Sequence, residues 1–177
     1  FIFGFEESYG YLGGSYVRDK DAVIASMLIC EMVAYYKSEG KTLIEVLDGI
    51  YKKYGYFICT QKSFTWEGES GLKQIKAIME KLRSHTPTEI NGSRVLKADD
   101  YALSVSRDLV NGVDTKLTLP VSDVLCFYME DGCSLIVRPS GTEPKIKLYL
   151  SAVGKTREEV ELNLASLTDS SVKLLGF

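Results

Sequence analysis

The sequence of 177 residues predicts a mixed α/β and α+β fold: the tail of a βα domain, then an antiparallel sheet with helices packed on one face. Near the start, two helical patterns follow a short apolar strand, which is the order of a βα unit. Farther along, short strand-like runs are separated by turn signals, as in antiparallel sheets. Amphipathic helical patterns lie on both sides of these runs. We expect the two domains to be residues 1–58 and residues 59–177.

The first domain is predicted to contain two helices. Apolar residues recur at helical spacing over residues 21–38, on so broad a face that we expect this helix to be mostly buried. Gly40 ends it. Thr42 can cap the second helix, and Glu45 three residues later completes a capping box. Both apolar faces are most simply explained as core-facing surfaces.

The second domain is predicted to contain one strand before its first helix and several strands between its two helices. An amphipathic helix is expected at residues 72–83, and a final helix is expected after Thr156, with Glu159 at the capping-box position. The sequence Glu130-Asp131-Gly132 is a hairpin signal. The predicted strands lie at residues 56–66, 94–97, 101–106, 124–129, 134–137 and 146–153.

Composition and charge argue against several classes of function. The chain is 45% hydrophobic and 25% charged, as in ordinary globular proteins, and its net charge of −3 argues against a nucleic-acid surface. No apolar run reaches membrane-spanning length, and no signal-peptide pattern is present, so we expect no membrane partner. The cysteines lie in apolar segments without a CxxC pair, which predicts reduced core residues of a cytoplasmic protein. They are Cys30, Cys59, Cys126 and Cys133.

Residues 138–147, Arg-Pro-Ser-Gly-Thr-Glu-Pro-Lys-Ile-Lys, form the most informative segment. An apolar run precedes them and an alternating run follows, which predicts a loop between two strands. Arg138 offers a planar fork of donors that suits a phosphate, and Ser140 and Thr142 can add hydroxyl donors. Gly141 lets the backbone approach closely, so that successive N–H groups can point at one anion. We therefore predict a dianion site, most simply for phosphate; the alternative is an ordinary turn with a surface arginine.

A second polar loop lies near the start, where a short apolar strand end meets Glu6, Glu7 and Ser8. Carboxylates in this position can accept hydrogen bonds from sugar hydroxyls or bind a metal. A solvated turn is the alternative. Arg18 and Lys20 precede the first helix and equally fit a solvated helix start. Together the two loops predict a sugar phosphate as ligand, with hydroxyl acceptors in the first loop and phosphate donors in the second.

These segments resemble motifs of the phosphoglucomutase/phosphomannomutase family, the α-D-phosphohexomutases. Residues 6–10 followed by 18–21 are similar to its sugar-binding loop, and residues 138–145 are similar to its phosphate-binding loop. Residues 4–12 and 54–56 resemble a bacterial phosphoglucomutase branch that also has phosphopentomutase-like members. The resemblance spans essentially the whole chain. It implies the end of the third domain and the whole TBP-like fourth domain of a longer protein, in keeping with a chain that starts without methionine.

The resemblance implies an intramolecular phosphotransferase. In this family a phosphoserine donates its phosphoryl group to a hexose or pentose phosphate, and the bisphosphorylated sugar then returns the other group. The serine and the aspartates that hold Mg²⁺ belong to upstream domains, so this segment alone is expected to bind substrate without turning it over. The Glu-Glu-Ser sequence favours exchange between glucose 1-phosphate and glucose 6-phosphate, whereas mannose, glucosamine and pentose phosphates stay open.

Carried over position by position, the resemblance implies individual roles. Lys20 matches a lysine proposed as a general acid or base, and burial or Arg18 would have to lower its pKa for it to act as a base. Lys147 lies close to the phosphate loop, although strand alternation could turn it to solvent. The sugar-binding residues would be Glu6, Ser8 and Arg18, and the phosphate-binding residues would be Arg138, Ser140, Gly141, Thr142 and Lys147.

Two other functions fit the same sequence features. One is a non-catalytic protein that binds phosphosugars through these two loops. The other is a structural domain whose loop binds any anion. The one histidine of the chain, His85, lies beside a proline turn and is more typical of a surface residue than of a catalytic one.

Overall fold

The chain forms two compact units, Phe1–Tyr54 and Gly55–Phe177. The structure is a computed structural model, which describes residues 1–6, 9–66, 68–141 and 143–176. For residues 68 and 69 it describes the backbone alone. Among these described residues, no helix combines the length and the apolar character that crossing a bilayer requires.

The first unit is a small hairpin followed by two helices. Strand β1 (Gly4–Phe5) pairs with β2 (Tyr11–Leu12), and helices α1 (Ala22–Ser38) and α2 (Leu43–Tyr54) follow. The predicted helices are confirmed, including the turn between them, where Gly40 has a φ of +71°.

The caps of both helices are formed by local side chains. Asp21 accepts from the N–H groups of Val23 and Ile24 at the start of α1. At the start of α2, the Glu45 carboxylate accepts from the Thr42 N–H at 2.8 Å, and the Glu45 N–H donates to the Thr42 hydroxyl at 3.2 Å. The predicted capping box is therefore confirmed.

The prediction that α1 is mostly buried is wrong for this chain. None of its residues is buried, and Val23 is 72% exposed while Met27 is 60% exposed. Within the first unit α1 packs on β2 and α2, which together are too small to cover a helix that is apolar on nearly every side. A large apolar surface is left open, of the kind that marks an interaction site.

The second unit is one antiparallel sheet with two helices. Its strands pair in the order β3-β10-β9-β8-β5-β6-β7, and β4 pairs with β5 beside this path. The elements are β3 (Tyr56–Thr65), α3 (Gly68–Ser84), β4 (Glu89–Ile90), β5 (Ser93–Asp100), β6 (Val105–Asp108), β7 (Val113–Lys116), β8 (Leu125–Met129), β9 (Ser134–Pro139), β10 (Lys145–Gly154) and α4 (Arg157–Leu175).

One face of this sheet carries the core. Alternate residues of the central strands, such as Val137 and Leu148, are fully buried in one cluster with Met79 of α3 and Leu167 of α4. Because side chains of a strand alternate between faces, the intervening residues lie on the opposite, more polar face. The predicted antiparallel sheet with helices on one face is confirmed.

The predicted domain boundary at residue 58 falls inside β3. This strand is paired with β10 along its whole length, from Tyr56 opposite Gly154 to Thr65 opposite Lys145. A ladder of this length holds β3 in the second unit, and the two units therefore separate before Gly55.

The strand predicted at residues 101–106 is wrong in its first half. Residues 101–104 form a turn, because the Asp100 carboxylate accepts from the N–H groups of Ala102 and Leu103 and Ser104 has a φ of +54°. Strand β7, whose residues are all exposed, was missed, since it has no apolar alternation.

The cysteine prediction holds in part. All four thiols are free, and Cys126 and Cys133 are buried as expected. Cys30 and Cys59 are exposed, which corrects the prediction that they lie in the core. Cys30 belongs to the uncovered helix α1, and Cys59 lies on the edge strand β3.

Candidate functional site

The predicted phosphate loop is the tip of the β9–β10 hairpin. Both strands extend farther than the apolar pattern indicated, so that Arg138 lies within β9 and the connection shortens to residues 140–144. In the antiparallel register Arg138 stands directly opposite Lys147. Facing pairs of this kind have Cβ atoms about 4.5–5.5 Å apart.

Arg138 and Lys147 share the polar face of the sheet. Their strand neighbours Val137 and Leu148 are fully buried on the other face, whereas Arg138 is exposed and Lys147 is half-buried. On the other side of β10, Lys147 pairs with Ser63 of β3. The strand geometry therefore brings two cations together at one edge of the hairpin tip.

Hydrogen bonds within the tip give it a defined shape. The Ser140 N–H donates to the Lys145 carbonyl at 2.8 Å, and the Glu143 N–H donates to the Ser140 hydroxyl oxygen at 3.3 Å. The Lys145 ammonium group lies 3.0 Å from the Glu143 carboxylate. The Ser140 side chain thus helps to shape the tip.

Gly141 is exposed at the outermost part of the tip. A Cβ atom at this position would meet nothing within 4 Å, and the φ of Gly141 is not among the positive ones. Neither packing nor backbone strain calls for glycine here, and the backbone of this residue is open to solvent. Thr142, the remaining predicted phosphate ligand, lies outside the described residues.

The predicted sugar loop surrounds a shallow cleft of about 240 Å³ in the first unit. The Glu6 N–H donates to the Gly10 carbonyl at 2.9 Å, which closes the hairpin between β1 and β2. Glu6, Gly10, Asp19 and Lys20 all line the cleft. Arg18 is exposed and lies outside the described lining. The predictions for Glu7 and Ser8 fall on residues that the structure leaves undescribed.

Lys20 is the central charge of this cleft. Its ammonium nitrogen lies 2.9 Å from Asp19 Oδ1 and 3.9 Å from Glu6 Oε1. The hydrogen bond to Asp19, followed by the charges of Asp19 and Glu6, raises the pKa of Lys20 above the usual lysine value. The same hydrogen bond lowers the pKa of Asp19. This direction is the opposite of what a general base requires, so that Lys20 stands here as a protonated cation.

Gly10 makes room for the Lys20 side chain. A Cβ atom on Gly10 would lie 2.1 Å from Lys20 Cδ and 2.7 Å from Glu6 Oε1. Sequence reasoning singled out neither Gly10 nor Asp19 as a determinant of the lysine. Asp19 could have been found as the acidic neighbour of Lys20 in the chain, whereas the contact with Gly10 needs the hairpin to fold back.

Potential metal ligands occur throughout the part of the chain that the structure describes. Among the described residues, His, Cys, Asp and Glu side chains nowhere come together in a group of three or more that could hold a metal ion.

Comparisons with known proteins match both units. The phosphoglucomutase/phosphomannomutase α/β/α domain III profile matches residues 1–54, and the C-terminal domain profile of the same family matches residues 67–163. The first of these matches agrees with the predicted tail of a βα domain.

Curated relatives and a solved structure agree with these matches. The chain is 43% identical to a phosphoglucomutase of Staphylococcus epidermidis over 85% of its own length and 28% of the relative. It is 45% identical to a phosphoglucomutase of Staphylococcus aureus over 85% of its length and 27% of that relative. The open form of pp63/parafusin from Paramecium, titled a phosphoglucomutase, aligns with 98% of the chain at a TM-score of 0.68 and 19% identity, which supports the fold. The chain thus spans less than a third of these proteins.

Proposed function

Because this chain belongs to the phosphoglucomutase/phosphomannomutase family, we propose that it is the substrate-binding segment of a phosphosugar mutase that interconverts glucose 1-phosphate and glucose 6-phosphate. The observation that carries the proposal is the pairing of Arg138 with Lys147 beside the hydrogen-bonded hairpin tip. Two adjacent cations, a hydroxyl and an open glycine match the donors that a phosphate dianion needs.

In the proposed mechanism the hairpin tip binds the phosphate that is not transferred. Arg138 would donate two parallel N–H groups to it, and Lys147 would add a point charge from the neighbouring strand. Ser140, Gly141 and Thr142 would contribute hydroxyl and backbone donors. Since phosphate is the same at either end of a bisphosphorylated sugar, this grip serves both orientations of the intermediate.

The first loop would read the sugar hydroxyls. A carboxylate such as Glu6 accepts hydrogen bonds from two neighbouring hydroxyls, and Ser8 and Arg18 would complete the set. Lys20, held protonated by Asp19 and Glu6, would act as a donor to an oxygen of the sugar or of its phosphate. Proton abstraction by Lys20 would require those carboxylates to move away.

Transfer of the phosphoryl group would depend on residues outside this chain. In a longer protein a phosphoserine would donate the group, and Mg²⁺ would neutralise charge on it; the described residues do not provide ligands that fit such an ion. We therefore assign to this chain recognition of the substrate and delivery of a proton.

The exposed apolar surface of α1 supports a place within a larger domain. The matched profile is that of an α/β/α domain, and its remaining elements would cover residues such as Met27 and Ile29. Other domains of the same polypeptide are thus the proposed protein partners. The four free thiols support a cytoplasmic location.

A titration followed by nuclear magnetic resonance tests the binding function. The ¹⁵N-labelled chain would receive glucose 1-phosphate, glucose 6-phosphate, inorganic phosphate or sulfate in separate series. We expect amide shifts at residues 138–147 with each phosphate compound, and tighter binding of the sugar phosphates than of sulfate. Equal affinity for all four would instead indicate a general anion site, and the absence of shifts would refute the proposal.

Replacing Gly10 with alanine is expected to weaken glucose 1-phosphate binding by about tenfold while leaving inorganic phosphate binding unchanged. The added methyl group overlaps Lys20 Cδ and Glu6 Oε1, so both side chains must shift and the contact between the ammonium group and Glu6 is disturbed. Lys20→Met removes the ammonium group itself and should weaken glucose 1-phosphate binding by at least as much. Calorimetric titration of both ligands provides the measurement.

Lys37→Met, which removes a lysine from the last turn of α1, is the matched control and should change neither affinity.

The raised pKa of Lys20 also determines how glucose 1-phosphate binding depends on pH. The contribution of Lys20 should persist through neutral pH and disappear only as the pH rises through that raised value. If Lys20→Met bound glucose 1-phosphate normally, the role of Lys20 would be wrong.

A further inference from the structure

We propose that Gly71, at the start of α3, is a positioning residue for the phosphate-binding hairpin tip and acts on it through Trp66 and Pro144. The inference rests on the proposed function, since it assumes that the tip at residues 140–144 binds phosphate. No feature of the sequence marked Gly71 or Trp66 as functional. Gly71 lies in α3, Trp66 lies between β3 and α3, and Pro144 lies between β9 and β10.

The first step is a hydrogen bond that ties the hairpin tip to the end of β3. The Trp66 N–H donates to the Pro144 carbonyl at 2.9 Å. This hydrogen bond lies just beyond the last pair of the β3–β10 ladder, in which Thr65 stands opposite Lys145. The tip is therefore tethered to the segment that leads into α3.

The second step is the close approach of α3 to this tether. A Cβ atom on Gly71 would lie 2.5 Å from Trp66 Cβ, 3.4 Å from the Trp66 carbonyl carbon and 3.3 Å from Pro144 Cβ. The nearest of these atoms is attached directly to the backbone, so rotation of a side chain cannot relieve the overlap. Glycine at this position is what allows the helix to pack against both residues.

The third step is that α3 cannot retreat from the overlap at low cost. Its inward residues Ile75 and Met79 are buried in the main core, and densely packed cores resist displacement. A side chain at Gly71 would therefore displace the Trp66–Pro144 tether. Pro144 lies between Glu143 and Lys145, whose hydrogen bonds shape the tip. The displacement would thus reach the phosphate donors.

Trp66 also provides the measurement, because it is the one tryptophan of the chain. Its emission, excited at 295 nm, reports on the tether without a background from other indoles. We expect inorganic phosphate to change this emission in the unmodified chain. The concentration dependence gives the dissociation constant.

The decisive comparison is Gly71→Ala against Gly49→Ala, with inorganic phosphate as the probe. Both replace a helical glycine with a better helix former, but a Cβ atom on Gly49 would meet nothing within 4 Å. We expect Gly71→Ala to shift the starting emission and to weaken phosphate binding by about tenfold, because displaced donors no longer fit the phosphate. Gly49→Ala should leave both unchanged.

Pro144→Ala supplies a second readout in case Gly71→Ala does not fold by circular dichroism. It keeps the carbonyl that Trp66 binds but frees the backbone of the tip, and we expect a weakening of about threefold. Normal phosphate affinity in a folded Gly71→Ala or, failing that, in Pro144→Ala would overturn the inference. If the unmodified chain did not bind inorganic phosphate, the proposed function would instead be refuted.

Discussion

Replacing Arg138 with alanine is expected to weaken glucose 6-phosphate binding by about 30-fold, or about 2 kcal/mol. Arg138 stands opposite Lys147 and lies two residues before the hairpin tip, so its guanidinium group can bind the phosphate through two parallel hydrogen bonds. The effect belongs at the lower end of the range for charge pairs, because Arg138 is exposed and Lys147 keeps part of the attraction. Calorimetric titration with glucose 6-phosphate measures the dissociation constants of the unmodified chain and of the variant.

Arg157→Ala is the matched control for this prediction. Arg157 is an exposed arginine of the same unit, on α4, and its guanidinium group lies 4.0 Å from the Glu161 carboxylate. Its removal should leave binding unchanged. Arg138→Lys should recover only part of the affinity, because an ammonium group cannot form the paired hydrogen bonds. Equal binding by the Arg138→Ala and Arg157→Ala variants would exclude Arg138 from the phosphate site.

The largest effect on stability is expected from Leu148→Ala, which should lower the free energy of unfolding of the second unit by about 2–5 kcal/mol. Leu148 is fully buried in the middle of β10, which pairs with strands on both sides. Alanine would leave a cavity between the sheet and the helices. Since whole domains are stable by about 5–15 kcal/mol, much of the stability would be lost. Urea unfolding, followed by circular dichroism, measures the change.

Leu162→Ala provides the matched control, because Leu162 is 72% exposed on α4. It should change the unfolding free energy by no more than about 0.5 kcal/mol. Below the unfolding transition, Leu148→Ala should still bind phosphate, since Leu148 and Lys147 lie on opposite faces of the sheet. If the two leucine variants unfolded at the same urea concentration, the assignment of this face as the core would be wrong.

Local signals in the sequence predicted the helices and hairpins well. Thr42 with Glu45, and Thr156 with Glu159, give capping hydrogen bonds over three residues, and the final helix indeed begins after Thr156. The hairpin at residues 130–132 is confirmed as the connection between β8 and β9. These features depend on residues close together in the chain, so the conformation follows from nearby atoms alone.

The exposure of α1 shows where pattern reasoning fails. Its apolar residues, such as Val23 and Met27, correctly indicated a helix but wrongly indicated burial, because the pattern carries no information on what covers the helix. The strand prediction for residues 101–106 is wrong in its first half for a different reason. A single carboxylate, Asp100, turns the backbone with two hydrogen bonds and overrides the strand preference of its neighbours.

The candidate site also combines features that the sequence predicted with features that only the structure showed. By itself the sequence determined the helices, the hairpin signals and the donors of residues 138–147, because these follow from local backbone preferences and from side-chain chemistry. Only the tertiary structure decided that Lys147 faces Arg138, that Lys20 crosses over Gly10 between two carboxylates, and that Gly71 packs against the hairpin tip. Gly71 and Pro144 lie far apart in the chain, whereas the other contacts form where the chain folds back on itself. The first depends on how closely a helix approaches the sheet and the others depend on strand register and on the path of the loop, and none follows from residue types alone.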